Sequence, residues 1–387
     1  MDILYISPDF PPNYANFVKQ LHAEGLRVWA VGESDFFGMP TDLRACIRWY
    51  ARADLSNWRT TEQAINELLE VKHAQGFEGA FDLVESHNEA WLRLEAFLNE
   101  RLGIPGITLR EVDRLKKKSM MKRIFQDAGL SAAQGAVVST VQEALRLAEE
   151  LGYPVILKPD EGVGAGGTHR VDSPSRLEAL FPEFRQDYLL EEFIDAPIVT
   201  YDGLTDREGN VVFENRLVYG EGLIEYAQGT DTFFFVSRRI PERLRQVGQA
   251  LVQRFEVRRK FFHFEFFDRG GEYVPVEINC RPPGGAIIDM MNYSIDGDLY
   301  HAWARMLMRR ALDLPLEKKH VVAFVGRKGT PHALGHDQLI ARIGDRLVEY
   351  AENPPLYWAV MGRFRYIFRC PEEADARELA AAARQRE

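Results

Sequence analysis

The run FFHFEFFDRGGEYVPVEIN at positions 261–279 leaves a chain few ways to lie. Two apolar stretches flank Asp268-Arg269-Gly270-Gly271, and the glycines permit the positive φ of a tight reversal, so the segment reads as an antiparallel hairpin. Side chains alternate along a strand, which puts His263, Glu265 and Phe267 on one face. On the returning strand Glu277 and Asn279 share a face, with Val276 and Ile278 turned away. A loop centred near Gly270 sets Glu265 opposite Glu277 and His263 opposite Asn279. Two carboxylates facing each other across a ladder repel, and in an apolar hairpin that costs stability unless a cation or a shared proton offsets it. Oxygen-only donors favour a hard ion. Two carboxylates and an amide leave sites for water and phosphate, which suits Mg²⁺ better than a closed Ca²⁺ cage. A surface hairpin with solvated glutamates is the alternative.

A chain of 387 residues exceeds one ordinary core, and two to three domains are expected. Hydrophobic residues at 46% and charged residues at 27% are the proportions of a soluble globular protein. The net charge of −10 argues against non-specific nucleic-acid binding, although a local cluster of lysine, arginine and backbone N–H groups can still hold phosphate. Cys46, Cys280 and Cys370 are widely spaced and odd in number, so neither a disulfide framework nor a cysteine zinc site is indicated. No apolar run is long enough to span a membrane, and a cytoplasmic protein is expected.

Taken in order, residues 2–7 read as a buried strand, followed by a helix near 16–24 and a strand at 27–31. A helix at 61–74, a strand at 81–85 and a helix at 89–101 continue the alternation, giving an open parallel α/β domain over residues 1–108. It carries no G-x-G-x-x-G after the first strand, so a dinucleotide site is not supported. One helix is expected over 112–128. Thr140 and Glu143 then form a capping box for the next helix. The strand Val155-Ile-Leu-Lys-Pro159 ends on a lysine and runs into Glu161-Gly-Val-Gly-Ala-Gly-Gly-Thr168, a loop whose backbone N–H groups could converge on one anion. Strands follow at 188–194, 198–204 and 211–217, then a helix at 241–255 and the hairpin, with a loop at 284–293 and a helix at 299–312. Near the C-terminus, strands are expected at 321–325, 357–360 and 363–369, before an alanine-rich terminal helix.

In this order the pieces resemble an ATP-grasp ligase. The resemblance rests on Lys118-x-x-Met121-Lys122, Leu157-Lys158-Pro159, the glycine loop, Glu191-Glu192-Phe193-Ile194, and Glu265 with Glu277-Ile-Asn279-x-Arg281-Pro282. It covers residues 110–310 most strongly. It implies an ATP-grasp fold of mixed α/β and α+β type, with a pre-ATP-grasp domain at 1–108, the nucleotide- and metal-binding domain at 109–312 and a small C-terminal α+β domain at 313–387. ATP and Mg²⁺ are the implied cofactors. Lys118 and Lys158 would contact the phosphates, and the glycines Gly162, Gly164, Gly166 and Gly167 would close over them. Glu191, with the backbone of Glu192 and Ile194, would hold adenine. Glu265, Glu277 and Asn279 would hold Mg²⁺, and Arg281 would stabilise an acyl phosphate.

The Asn-Cys-Arg-Pro-Pro-Gly-Gly run looks most like carboxylate–amine ligases of the amino-acid and dipeptide type, with small carboxylate and amine substrates and no nucleic-acid or membrane partner. Dimers are common among similar enzymes, which leaves a homodimer open. Ile198-Val199-Thr200 stands where many members have an acidic residue, so the ribose contacts are unassigned. Arg238, Arg239, Arg281, Arg363 and residues 284–293 are candidates for the acceptor side. A binding module without turnover, and a phosphotransferase or carboxylase-type enzyme on the same scaffold, are the alternatives.

Overall fold

In the computed structural model, which describes every residue except 163–165, 181–186, 223–225, 227–228 and 330, the chain divides into two units. The first comprises Met1–Asp113 with Gly284–Ala286 and Asp298–Leu314. Its parallel sheet has the order Ile47–Arg52, Arg27–Gly32, Asp2–Ile6, Leu83–Glu85. The strand Asp2–Ile6 is buried along its whole length, as an apolar run in a covered parallel sheet should be. The helix Trp58–Ala74 starts where the Asn57 side chain accepts from the Arg59 and Thr60 N–H groups. The edge strand Ile47–Arg52 has no counterpart in the sequence reading, because exposed Arg48 and Trp49 interrupt its apolar pattern. The helix Leu299–Leu307 packs on Ala15–Ala23 and so belongs to this unit.

The second unit, Arg114–Pro283 with Ile287–Gly297 and Pro315–Glu387, holds two antiparallel sheets. The smaller has the order Gly135–Val138, Tyr188–Glu192, Val155–Pro159, His169–Val171. The larger runs Tyr273–Asn279, Phe261–Asp268, Ile198–Thr205, Leu217–Tyr219, Thr232–Val236, Val321–Arg327, Phe364–Cys370, Leu347–Glu352, and Val211–Asn215 also pairs with Ile198–Thr205. The central strand Thr232–Val236 is buried throughout and is missing from the sequence reading; a short run that is apolar on both faces has no period to betray it.

Three expectations are corrected. The helix expected over 112–128 is two, Leu109–Lys116 and Lys118–Asp127, broken at Lys117 with φ −87° and ψ 115°. No glycine or proline marks the break. Its partner is distant in sequence: Asp160 accepts from Ser119 N–H at 2.7 Å and Ser119 Oγ at 2.8 Å, capping the second helix. Much of the expected loop at 284–293 is helix Ile287–Ile295, with Ile287, Ile288, Met290 and Met291 buried against the Val321–Arg327 strand. Residues 357–360 are not a strand; Pro354-Pro355 sets the φ for a 3₁₀ turn, Pro355–Tyr357, which leads into the helix Trp358–Met361.

Candidate functional site

The hairpin forms in the expected register. His263 pairs with Asn279 and Glu265 with Glu277, and the loop closes with Gly270 and Gly271 at φ 68° and 99°. After Glu265 the register slips by one residue, so Phe266 faces Pro275 and Val276 has no partner. Pro275 cannot donate to a ladder and is tolerated here at a bulge on the outermost strand of the sheet. The bulge turns Val276 to line the same cavity as Glu277, whereas strict alternation had sent it to the opposite face.

That cavity, of about 460 Å³, lies between the smaller sheet and the hairpin end of the larger one. Ile156, Phe193, Ile194, Ile198, Phe267 and Val276 supply an apolar wall. Lys118, Lys158, Glu191, Glu265, Glu277, Asn279 and Arg281 supply convergent polar groups, which is the usual make-up of a small-molecule site. Thr168, at the end of the glycine loop, also lines it. Gly164 lies outside the described residues. Gly167 sits at φ 74°, where a side chain would be strained and its Cβ would stand 3.0 Å from Pro159.

The Lys118 ammonium lies 3.0 Å from Glu277. Glu191 is 5% exposed and is gripped from two sides, by Lys158 at 2.5 Å and Lys122 at 2.7 Å. Burial pushes the Glu191 carboxyl up, but Lys158 and Lys122 together outweigh it and hold it below the ordinary value. Lys122 also donates to the Ala133 carbonyl. It was part of the Lys118-x-x-Met121-Lys122 signature but received no role of its own; helical spacing from Lys118 was the available signal. Glu192 donates its N–H to Gln134 O at 2.8 Å and accepts from Gln134 N–H at 2.8 Å, so that amide is not offered to the cavity.

Three strands set six polar residues in two cross-strand rows, Asp202–His263–Asn279 and Thr200–Glu265–Glu277. All are buried except Glu265, which is partly so. His263 bridges Asp202 at 2.6 Å and Glu265 at 3.2 Å. Burial alone would depress its pKa; Asp202, then Glu265, reverse this and raise it to about 9. Burial likewise pushes Glu265 up, and His263, Arg281 and Lys118 bring it below the ordinary value. Asp202 was missed by sequence reasoning, yet a carboxylate two residues from Thr200 in an otherwise apolar strand was a usable sign.

Among the described residues no three His, Cys, Asp or Glu side chains group as metal ligands. The oxygen set Glu265, Glu277 and Asn279 nevertheless fits a hard cation: Asn279 Oδ1 is buried with no hydrogen-bond partner among the described residues, beside two facing carboxylates. Of the acceptor-side candidates, Arg281 alone lines the cavity. Arg238 faces a separate cavity of about 330 Å³ and donates to Pro371 O, and exposed Arg363 pairs with Glu352 at 2.8 Å.

This architecture, with a nucleotide-sized cavity between two antiparallel sheets, is the ATP-grasp fold, and solved structures agree over nearly the whole length. The L-amino acid ligase from Bacillus licheniformis superposes with a TM-score of 0.71 at 17% identity, covering 98% of this chain and 96% of that one. Residues 113–231 match the family model of the carbamoyl-phosphate synthase L chain, ATP binding domain. The chain therefore has the ATP-grasp fold, and its residues 113–231 match an ATP-binding domain of that kind. The L-arginine-specific L-amino acid ligase of Bacillus subtilis is 24% identical over 265 residues, 65% of this chain and 62% of that protein. The carbamoyl phosphate synthase large chain of Thermotoga sp. (strain RQ2) is 25% identical over 167 residues, 42% of this chain but only 14% of its own length. No helix among the described residues is long and apolar enough to cross a membrane.

Proposed function

We propose that the protein is an ATP-dependent carboxylate–amine ligase. The carboxylate attacks the γ-phosphorus of ATP and ADP leaves; an amine then attacks the acyl phosphate, loses a proton and expels phosphate, forming an amide. The observation that carries this reading is the composition of one cavity, in which an apolar wall for a base meets Lys118, Lys158 and Arg281 for anionic oxygens and Glu265, Glu277 and Asn279 for a cation. A carboxylate and a triphosphate repel, so bringing them together requires cationic groups fixed in advance and shielded from water.

Lys118 and Lys158 would bind phosphate oxygens, exchanging Glu277 and Glu191 for stronger anionic partners. Ile156 and Ile194 would flank the base. Glu265, Glu277 and Asn279 would hold Mg²⁺, which when bound neutralises phosphate charge. Arg281 would orient the acyl group, and the glycine loop would exclude water. Residues 109–312, apart from the stretches that pack in the first unit, would form the nucleotide- and metal-binding domain, flanked by 1–108 and 313–387. The similarity to two L-amino acid ligases supports amino acids as the substrate class.

The test is release of ADP and phosphate from Mg-ATP with pooled amino acids and small carboxylates, with mass spectrometry of the products. Turnover that requires both a carboxylate and an amine, with a condensed product, is expected. A stable phosphorylated product would replace the ligase with a phosphotransferase. ADP binding without turnover in any pool would leave a binding module.

A further inference from the structure

The two polar rows hold more than the proposed ligands need. Asp202 is completely buried on the strand next to the hairpin and does not line the cavity, yet each of its oxygens is engaged. Oδ1 meets His263 Nδ1 at 2.6 Å; Oδ2 accepts from Thr200 Oγ1 at 2.6 Å and from Asn215 Nδ2 at 3.1 Å. The imidazole is thereby held in one orientation, and its other nitrogen, Nε2, stands 3.2 Å from Glu265 Oε1. Phe262, Phe264 and Phe266 occupy the intervening positions of the strand and are fully buried, so the polar face has an apolar back. A buried carboxylate and histidine cost folding free energy unless they are paired and hydrogen-bonded, and here the pairing is made with groups that lead directly to Glu265.

We propose that Asp202 and His263 are positioning residues for Glu265: Asp202 fixes the ring, the ring holds Oε1 of Glu265, and the remaining oxygen is turned toward Glu277 and Asn279 to complete a divalent-cation site. This rests on the nucleotide and metal reading above and deepens it, because it assigns the cation's affinity to two residues that touch neither cation nor nucleotide. The chain of contacts is short and rigid. Each link joins residues in register on adjacent strands or two residues apart on one strand, so the backbone ladder fixes where the three side chains start and the ring's two contacts fix how Glu265 is held.

The test titrates Mn²⁺ into the full chain saturated with ADP and reads free Mn²⁺ by electron paramagnetic resonance; metal-free ADP binding is measured separately with chelator present. Asp202→Asn is expected to weaken Mn²⁺ about 10-fold while ADP binding without metal is unchanged, in line with the usual effect of removing a group that orients a ligand. His263→Leu should weaken Mn²⁺ at least as much, and His263→Gln, whose amide can still donate to Glu265, should recover part of the loss. Folded Asp202→Asn and His263→Leu proteins with wild-type Mn²⁺ affinity would overturn the inference alone. So would parallel losses of melting temperature and metal-free ADP binding that are equal in His263→Gln and His263→Leu, since those would mark general packing. A wild-type protein that binds ADP but takes up no Mn²⁺ would remove the metal reading and this inference with it.

Discussion

Glu191→Gln isolates the clamp that two lysines make on one buried carboxylate. The substitution keeps shape and removes a charge, leaving Lys158 and Lys122 facing a neutral amide at positions now 2.5 and 2.7 Å from an anion. Breaking a buried ion pair by removing one partner costs about 3–5 kcal/mol, because the surviving charge stays desolvated. The amide oxygen still accepts one hydrogen bond and Lys122 keeps the Ala133 carbonyl, so the expected loss is at the lower end, about 3 kcal/mol. Urea unfolding followed by circular dichroism reads it. Adding Lys122→Met removes one orphaned cation and should recover about 1–3 kcal/mol as a coupling energy. The pH dependence has a definite sign. The folded Glu191 carboxyl titrates below its unfolded value of 4.5, so its contribution is full above that pH and is lost as pH falls through the folded value. The difference between wild type and Glu191→Gln should therefore be flat from neutral pH down to about pH 5 and shrink below it. A loss under about 1 kcal/mol at neutral pH, the range of an exposed pair, would refute the clamp.

Glu277→Gln removes one full charge from the proposed cation site with little change in volume, and Mg²⁺-dependent turnover should fall about 100-fold or more with the fold intact; near-normal turnover at saturating Mg²⁺ would sink the assignment. Asn279→Leu should also abolish that turnover while leaving the melting temperature unchanged or higher, because Oδ1 is a buried acceptor with no partner among the described residues and deleting it relieves about 1 kcal/mol. Gly248→Ala reverses an ordinary rule: in an exposed helix it would stabilise by about 0.5–1 kcal/mol, but here a Cβ would meet the buried Tyr201 ring at 2.1 Å, so a loss of about 1–3 kcal/mol is expected in calorimetry.

Local patterns carried the parts of the molecule that obey a period. Alternation of two located the hairpin, its register and the facing pair Glu265–Glu277, since a slip of one residue would have turned every phenylalanine of the strand to the other face. The same reasoning failed at Val276, because a bulge is a one-residue insertion that alternation cannot announce. Thr232–Val236 was invisible for a related reason: it is buried on both faces, and without a polar face there is no period to read. Ile287–Ile295 did carry a helical pattern, with Asp289, Asn292 and Tyr293 less buried than Ile287, Ile288 and Met291, but the glycines that precede it point to a loop.

Charge and composition along the chain determined which residue types could serve phosphate, cation and base, and their order was enough for the ATP-grasp resemblance. Which of those residues hold one another in place depended on pairing across long separations. Asp160 breaks the helix at Lys117 from more than forty residues away, Glu191 joins Lys122 to Lys158, and Asp202 reaches Glu265 through His263. Each link joins side chains that share no local period. They meet because the sheets close around them, and desolvation there makes each contact matter.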